Sequence, residues 1–422
     1  MTDSAIERAY QIAAERYAEV GGDAEAALAQ LAEVSLSLHC WQGDDVAGFE
    51  RPGGSLAGGG IQVTGSHPGR ARSAEELRMD LDTAFSLIPG RHRVNLHAMY
   101  GEFGGGPVER DQVGPEHYRG WVAWAKERGL GMDFNATCFS HPKAESGYTL
   151  SHRDEGIRAF WIEHVKRSRA VSAHVGRELG TPCLHNLWIP DGSKDTPADR
   201  WSRRRLLEQA LDDIYAAEYA SREMKDALES KLFGIGSESF VVGSHDFYLA
   251  YALSRGKMVC LDLGHFHPTE SVADKISAIL LFSDEVLLHV SRGVRWDSDH
   301  VVVLSDEVRA VMEEIVRGEA LARAHLALDF FDASLNRVGA WAIGARATLQ
   351  GLLIALLQPH QRLREIEQQG DNLARLALLE ELKALPFGAV WDYHCLGMEA
   401  PVGAALVRRV QEYEANVTSR RS

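Results

Sequence analysis

The chain is short of basic residues: 45 Lys and Arg stand against 60 Asp and Glu, a formal net charge of −15. Phosphate backbones are held by basic stripes, so this balance argues against a nucleic-acid surface. Part of the negative excess is what metal ligands would contribute, because a formal count leaves them uncompensated. No run of eighteen apolar residues occurs, so no membrane span is expected. No signal peptide precedes the amphipathic stretch Ala5–Val20. Cysteine is sparse: Cys40, Cys138, Cys183, Cys260 and Cys395 show no CxxC spacing, and four of them lie in apolar strand-like runs. Buried, reduced thiols and a cytoplasmic location are the expectation. The glycine-rich stretch 53–60 (G-G-S-L-A-G-G-G) is not closed by a Lys-Ser/Thr pair, so it reads as a flexible loop or a substrate cover.

What is present is a steady alternation of two periods. After one or two helices broken at Gly21-Gly22, strand-like runs fall at Ser35–Trp41, Arg93–Tyr100, Gly131–Phe139, Pro182–Ile189, Leu228–Leu232, Met258–Asp262, Val286–Val290 and Ala324–Phe331. Helical periods separate them at Ser73–Ile88, Pro115–Arg128, His152–Leu179, Arg200–Tyr219, Phe247–Ser254, Thr269–Leu281 and Ser305–Arg317. Eight short strands alternating with helices predict a (β/α)8 TIM barrel over 35–337. A doubly wound open sheet would need a GxGxxG after its first strand, and none is there. Residues 1–34 form an N-terminal helical segment. Residues 338–422 read as helices only (Gly344–Leu357, Gln361–Gln368, Asn372–Leu385, Pro401–Ala415), either an arm for subunit assembly or an extra layer on the same barrel.

Barrel enzymes carry their chemistry at the C-terminal ends of the strands, and capable side chains gather there. The first strand ends in His39 and Trp41, the second in His97, the third in Asn135, the fourth in Asn186 and Trp188. The fifth carries Glu229 and Lys231, and the sixth ends in Asp262, with His265 and His267 just beyond. The seventh ends in His289 and its loop holds Asp297 and Asp299. Asp329 and Asp332 follow the eighth. A single Asp at a strand end is usually a helix cap, and a single His in an apolar strand is usually a packed core residue. Five carboxylates and two histidines on one rim are different, because buried like charges repel and lose hydration unless a cation joins them. The oxygen and nitrogen donor set suits one or two ions of Mn²⁺, Mg²⁺, Co²⁺ or Zn²⁺, and the lack of a thiolate counts against structural zinc. Lys231 is either the ion-pair partner of Glu229 or a cation for a substrate oxygen. Trp41, Trp188 and Trp296 are either an apolar wall for a sugar or core residues.

The order of these residues is similar to that of the xylose-isomerase-like metal barrels. The segments L-H-C-W-Q-G-D-D (38–45), E-S-K-L-F-G-I-G (229–236), L-D-L-G-H-F-H-P-T-E (261–270), V-R-W-D-S-D-H-V (294–301) and L-D-F-F-D-A-S (328–334) resemble the L-rhamnose isomerases more closely, and the likeness runs from about residue 5 to 418. The resemblance implies a structural metal on Glu229, Asp262, His289 and Asp329, and a catalytic one on His265, Asp297 and Asp299, with Mn²⁺ the expected ion. It also implies catalytic roles for Lys231, His97 and Asp329, and sugar contacts from Trp41, His97, Trp188 and Lys231. A homotetramer and a 1,2-hydride shift between L-rhamnose and L-rhamnulose, opening rhamnose catabolism, complete what it implies. A related barrel isomerase of different or broader aldose specificity, a metal phosphoesterase on the same fold, and a non-catalytic sugar-binding protein are the competing readings.

Overall fold

The computed structural model describes residues 2–50, 63–104, 106, 108–231, 238–294 and 296–421, and only the backbone of 296–298. The glycine-rich stretch 53–60, read above as a flexible loop or a substrate cover, lies outside the described residues, as do 232–237.

Eight parallel strands close on themselves: Leu36–His39, Arg93–His97, Gly131–Asn135, Cys183–Leu187, Met224–Glu229, Met258–Asp262, Val286–Val290 and Ala324–Leu328. Each pairs with its two sequence neighbours, and the first pairs with the last at Leu36↔Leu326, so the ring has no edge. This is the expected TIM barrel.

The crossover helices are built by ordinary amphipathic rules. Asp306–Arg317 buries Val308, Val311, Met312, Ile315 and Val316, one stripe at helical spacing. Ser305 caps it by accepting from the Val308 amide at 3.3 Å, with acids in the first turn and Arg317 in the last. The long helix Glu155–Leu179 starts on an Asp154 cap and stops at Gly180, whose φ of 68° is the left-handed conformation glycine tolerates.

Inside the barrel, alternation sets two layers. Ala227, Cys260, Leu287 and Ala327 each stand two residues before Glu229, Asp262, His289 and Asp329. With Leu184 and Met258 they form a separate apolar cluster, the floor beneath those polar side chains. On the opposite side the interior is polar and paired: Arg93 reaches Asp133 at 2.8 Å, Ser37 Oγ donates to Asp133 at 2.7 Å, and Asn135 donates to Asn95 at 2.6 Å.

Most elements start or stop within a few residues of expectation, and helix Arg337–Leu356 begins seven residues before the expected Gly344. Two further differences have a clear physical reason. The fifth strand runs Met224–Glu229 rather than centring on 228–232, because Lys225 and Asp226 look like a break yet are both paired inside it, with Glu285 and Arg169. Helix Phe387–Gly397 was not expected at all. Its glycines and aromatics are poor helix formers, and packing secures it instead, with Tyr393 stacked on Tyr10 of the first helix at 4.0 Å between ring centroids.

Arg337–Leu356 is long and apolar enough to cross a membrane by composition, but 83% of that window is buried in the protein. It lies against helix Asp306–Arg317 on one side and helices Ala24–Ala32 and Ala74–Ser86 on the other, which explains why it is apolar nearly all round.

Candidate metal and sugar site

Four of the expected residues meet in one place. Glu229, Asp262, His289 and Asp329, from the ends of strands five to eight, offer ligand atoms all within 4.8 Å of one another. His289 Nδ1 is 3.2 Å from both Glu229 Oε2 and Asp329 Oδ2 and 3.7 Å from Asp262 Oδ2. Neighbours orient the carboxylates: Asn186 Nδ2 donates to Glu229, Ser291 Oγ and the Gly264 amide to Asp262 Oδ1, each at 2.6 Å, and Trp41 Nε1 to Asp329 Oδ1 at 3.0 Å.

The electrostatics show a layer short of positive charge. Burial pushes the Asp262 carboxyl up to about 7. Burial opposes the imidazolium of His289, yet Cys260 and the carboxylates of Glu229 and Asp329 carry it above its ordinary value. Against the same burial, the His289 contact holds Asp329 down at about 2. Among the described residues, Asp262 Oδ2 and His289 Nε2 are buried with no hydrogen-bond partner, and His289 Nδ1 has only the ion-pair contacts just given. Three carboxylates and an imidazole with unspent lone pairs fit a hard or borderline divalent cation.

Asp332 is excluded from this layer, since its Oδ1 accepts from both the amide and the hydroxyl of Ser334. Asp329 is therefore the strand-eight member. Cys260 was missed: its thiol groups with Glu229 and His289 within 4.8 Å. The signal was there in the alternation, two residues before Asp262. Burial raises this thiol to about 12, so it remains protonated.

The second expected set is placed only in part. His265 is buried, its Nδ1 2.8 Å from the Ser230 carbonyl oxygen and 3.3 Å from Glu229 Oε1. The pair 297 and 299 sits on a short antiparallel ribbon, Arg292–Val294 with Trp296–His300, after strand seven. Asp299 has φ 39° and its carbonyl accepts from the Phe331 amide, which ties the ribbon to the end of strand eight. The side chains of Asp297 and Trp296 lie outside the described residues. His267 is exposed and bound to Thr269, away from the layer.

Strands one to four supply an aromatic arc facing the acids. Trp41 meets His97 at 4.7 Å, His97 meets Phe139 at 5.3 Å and Phe139 meets Trp188 at 5.9 Å between centroids. Phe139 had no distinguishing sequence signal; only the third loop's path brings it here. The indole Nε1 of Trp188 is buried with no hydrogen-bond partner among the described residues. His97 lies 3.3 Å from Thr137 Oγ1, and burial lowers its imidazole to about 3, so it is neutral. His39 packs on Phe330 at 4.4 Å, with burial lowering it to about 4.

Lys231 does not pair with Glu229. Its Nζ donates to the Pro190 carbonyl at 2.7 Å and stands 2.7 Å from Glu238 Oε2.

A family model described as RhaA, L-rhamnose isomerase, matches residues 4–421. An L-rhamnose isomerase of Pectobacterium carotovorum is 56% identical over 416 residues, 99% of both chains. One of Rhodopirellula baltica is 54% identical over 417 residues, 99% of this chain and 97% of that one. Among solved structures an L-ribulose 3-epimerase aligns with a TM-score of 0.48 at 13% identity, covering 79% of this chain and 97% of that one.

Proposed function

The chain belongs to the L-rhamnose isomerase family, and on that premise we propose that it interconverts L-rhamnose and L-rhamnulose by a 1,2-hydride shift that depends on divalent metal. The observation that carries this reading is the buried layer of Glu229, Asp262, His289 and Asp329 with its unpartnered donor atoms. These four would hold one ion, and His265, Asp297 and Asp299 a second. Mn²⁺ is the ion proposed for both, with Co²⁺, Mg²⁺ and Zn²⁺ as the alternatives for reconstitution. Such a cation, when bound, supplies Lewis-acid polarisation of the substrate's oxygens.

The protein's own groups do the rest. The Lys231 ammonium holds O1 of the open chain and favours negative charge there. His97, neutral because buried, can donate one hydrogen bond and accept another, as passing a proton between sugar oxygens during ring opening requires. Trp41, Phe139 and Trp188 give the carbon face of the sugar an apolar wall and keep bulk water off, and the bare Trp188 Nε1 suits a hydroxyl.

A ketose-forming assay on L-rhamnose with added Mn²⁺ tests the activity; no product would end this reading. Substrate labelled with deuterium at C2 tests the route. Retention of label at C1 is expected, and loss to solvent would replace the hydride shift by an enediol path.

The same reading has the enzyme acting in the cytoplasm as a homotetramer at the head of rhamnose catabolism, with residues 35–337 catalytic and 338–422 in assembly. Leu373 and Leu376, 77% and 57% exposed on helix Asn372–Lys383, are the side chains a neighbouring subunit would cover. Light scattering on Leu376→Glu tests this; an unchanged tetramer would remove the helix from the interface.

A further inference from the structure

We propose that Glu238 is a positioning residue for the isomerisation, its carboxylate and the Pro190 carbonyl together aiming the Lys231 ammonium at the substrate. The inference rests on the reading that Lys231 meets the sugar.

A buried ammonium needs partners, or it gives up its charge. The Lys231 side chain is 4% exposed and that of Glu238 17%. Both are therefore held mostly away from water, where their attraction is strongest. The ammonium has three N–H groups. Pro190 O accepts from one at 2.7 Å, and Glu238 Oε2 stands 2.7 Å from Nζ as an ion-pair contact rather than a hydrogen bond, so among the described residues N–H groups remain for a sugar oxygen. Among the described residues, the head without Glu238 would be fixed by a single neutral carbonyl.

The backbone around Glu238 is arranged to bring it there. Gly192–Ser193, in the loop after strand four, pairs antiparallel with Phe240–Val241, in the loop after strand five. The Ser239 amide donates to Ser193 O at 3.1 Å and the Val242 amide to Asp191 O at 3.0 Å. Asp191 in turn is buried and accepts from the amides and hydroxyls of Thr149 and Ser151, which adds the third loop. The Lys231 amide itself donates to Gly243 O at 3.2 Å. Three loops are thus clasped around one lysine. At Gly192 a Cβ would stand 2.9 Å from Glu238 Oε1 and 2.7 Å from the Phe240 carbonyl, so this position leaves no room for a side chain beside the carboxylate.

The test is a double-mutant cycle on the metal-loaded enzyme with Glu238→Gln, Lys231→Met and both together, plus Glu238→Asp. For each, kcat and KM for L-rhamnose, calorimetric affinity for the alditol L-rhamnitol, melting temperature and bound metal are measured. A misaimed group costs on the order of tenfold to a hundredfold in rate. Glu238→Gln is expected to lose that much in kcat with little change in KM, alditol affinity, melting temperature or metal content. Glu238→Asp, which keeps the charge on a shorter arm, is expected to recover part of the loss. In the Lys231→Met background Glu238→Gln should cost nothing more, because the two act through one contact. Unchanged kcat in Glu238→Gln, or losses that simply add in the double variant, would overturn the proposal. Should Glu238→Gln fail to fold, the same cycle run with Glu238→Asp decides it. If Lys231→Met alone keeps full turnover, the role of Lys231 falls first and this inference with it.

Discussion

The Trp41 indole donates from Nε1 to Asp329 Oδ1 at 3.0 Å, so the turn after the first strand holds the carboxylate that follows the last. The barrel's closing seam therefore runs through the buried layer of Glu229, Asp262, His289 and Asp329. Trp41→Phe keeps the ring against His97 and removes only this donor. Outer contacts of this kind are worth about ten- to a hundredfold in metal affinity or activity. A loss in that range is expected in metal titrations of Trp41→Phe, with the melting temperature of the loaded protein little changed. Wild-type affinity would show that the indole only packs.

Removing divalent cations with a chelator is expected to abolish turnover, and re-addition of Mn²⁺ to restore it. It should also destabilise the protein, since a ligand at a hundred times its Kd contributes about 2.7 kcal/mol. Calorimetry with and without metal measures this directly. Glu229→Gln, one charge short in the layer, should show a smaller stabilisation by metal than the parent. Equal stabilisation would place the ion elsewhere.

His164 predicts a defined pH dependence. Its Nε2 accepts from the Thr137 amide at 2.9 Å and its Nδ1 faces the Arg110 carbonyl at 2.9 Å, an arrangement only the neutral ring satisfies. Burial, followed by the nearby Arg110 charge, lowers it to about 3. The unfolded chain takes up this proton near pH 6.5 and the folded one only near 3, so its contribution is present above 6.5 and lost as pH falls through that window. Measured by denaturant unfolding, the stability advantage of wild type over His164→Gln should shrink by about 1.4 kcal/mol per pH unit below 6.5. A constant difference between pH 7 and 5 would refute the assignment.

Gly176 faces strand five so closely that a Cβ there would overlap the Glu223 carbonyl, a backbone atom that cannot swing aside. Gly176→Ala is expected to destabilise the fold by about 1–3 kcal/mol or more, as overpacking does. Its effect on kcat in the surviving folded fraction should be small. A neutral result in unfolding experiments would mean that helix Glu155–Leu179 is free to shift.

Much of this was legible in the chain. Two periods, 2 and 3.6, repeated eight times, determine a closed parallel barrel, because alternating strands and helices have few other ways to bury one face each. The same regularity puts His97, Glu229, Asp262, His289 and Asp329 at strand ends, where a barrel exposes its chemistry. Alternation within single strands already contained the apolar floor, Cys260 included. Tertiary structure alone decided the pairings. Nothing in the spacing of 229, 231 and 238 says that Lys231 turns away from Glu229 toward Glu238, since that depends on where two loops meet. That Asp329 joins the layer while Asp332 binds Ser334 is settled by one turn of backbone. Phe139 enters the aromatic arc, and helix Phe387–Gly397 forms, because distant surfaces come together to bury them. Local periodicity is written residue by residue, whereas a contact between loops exists only after the barrel has closed.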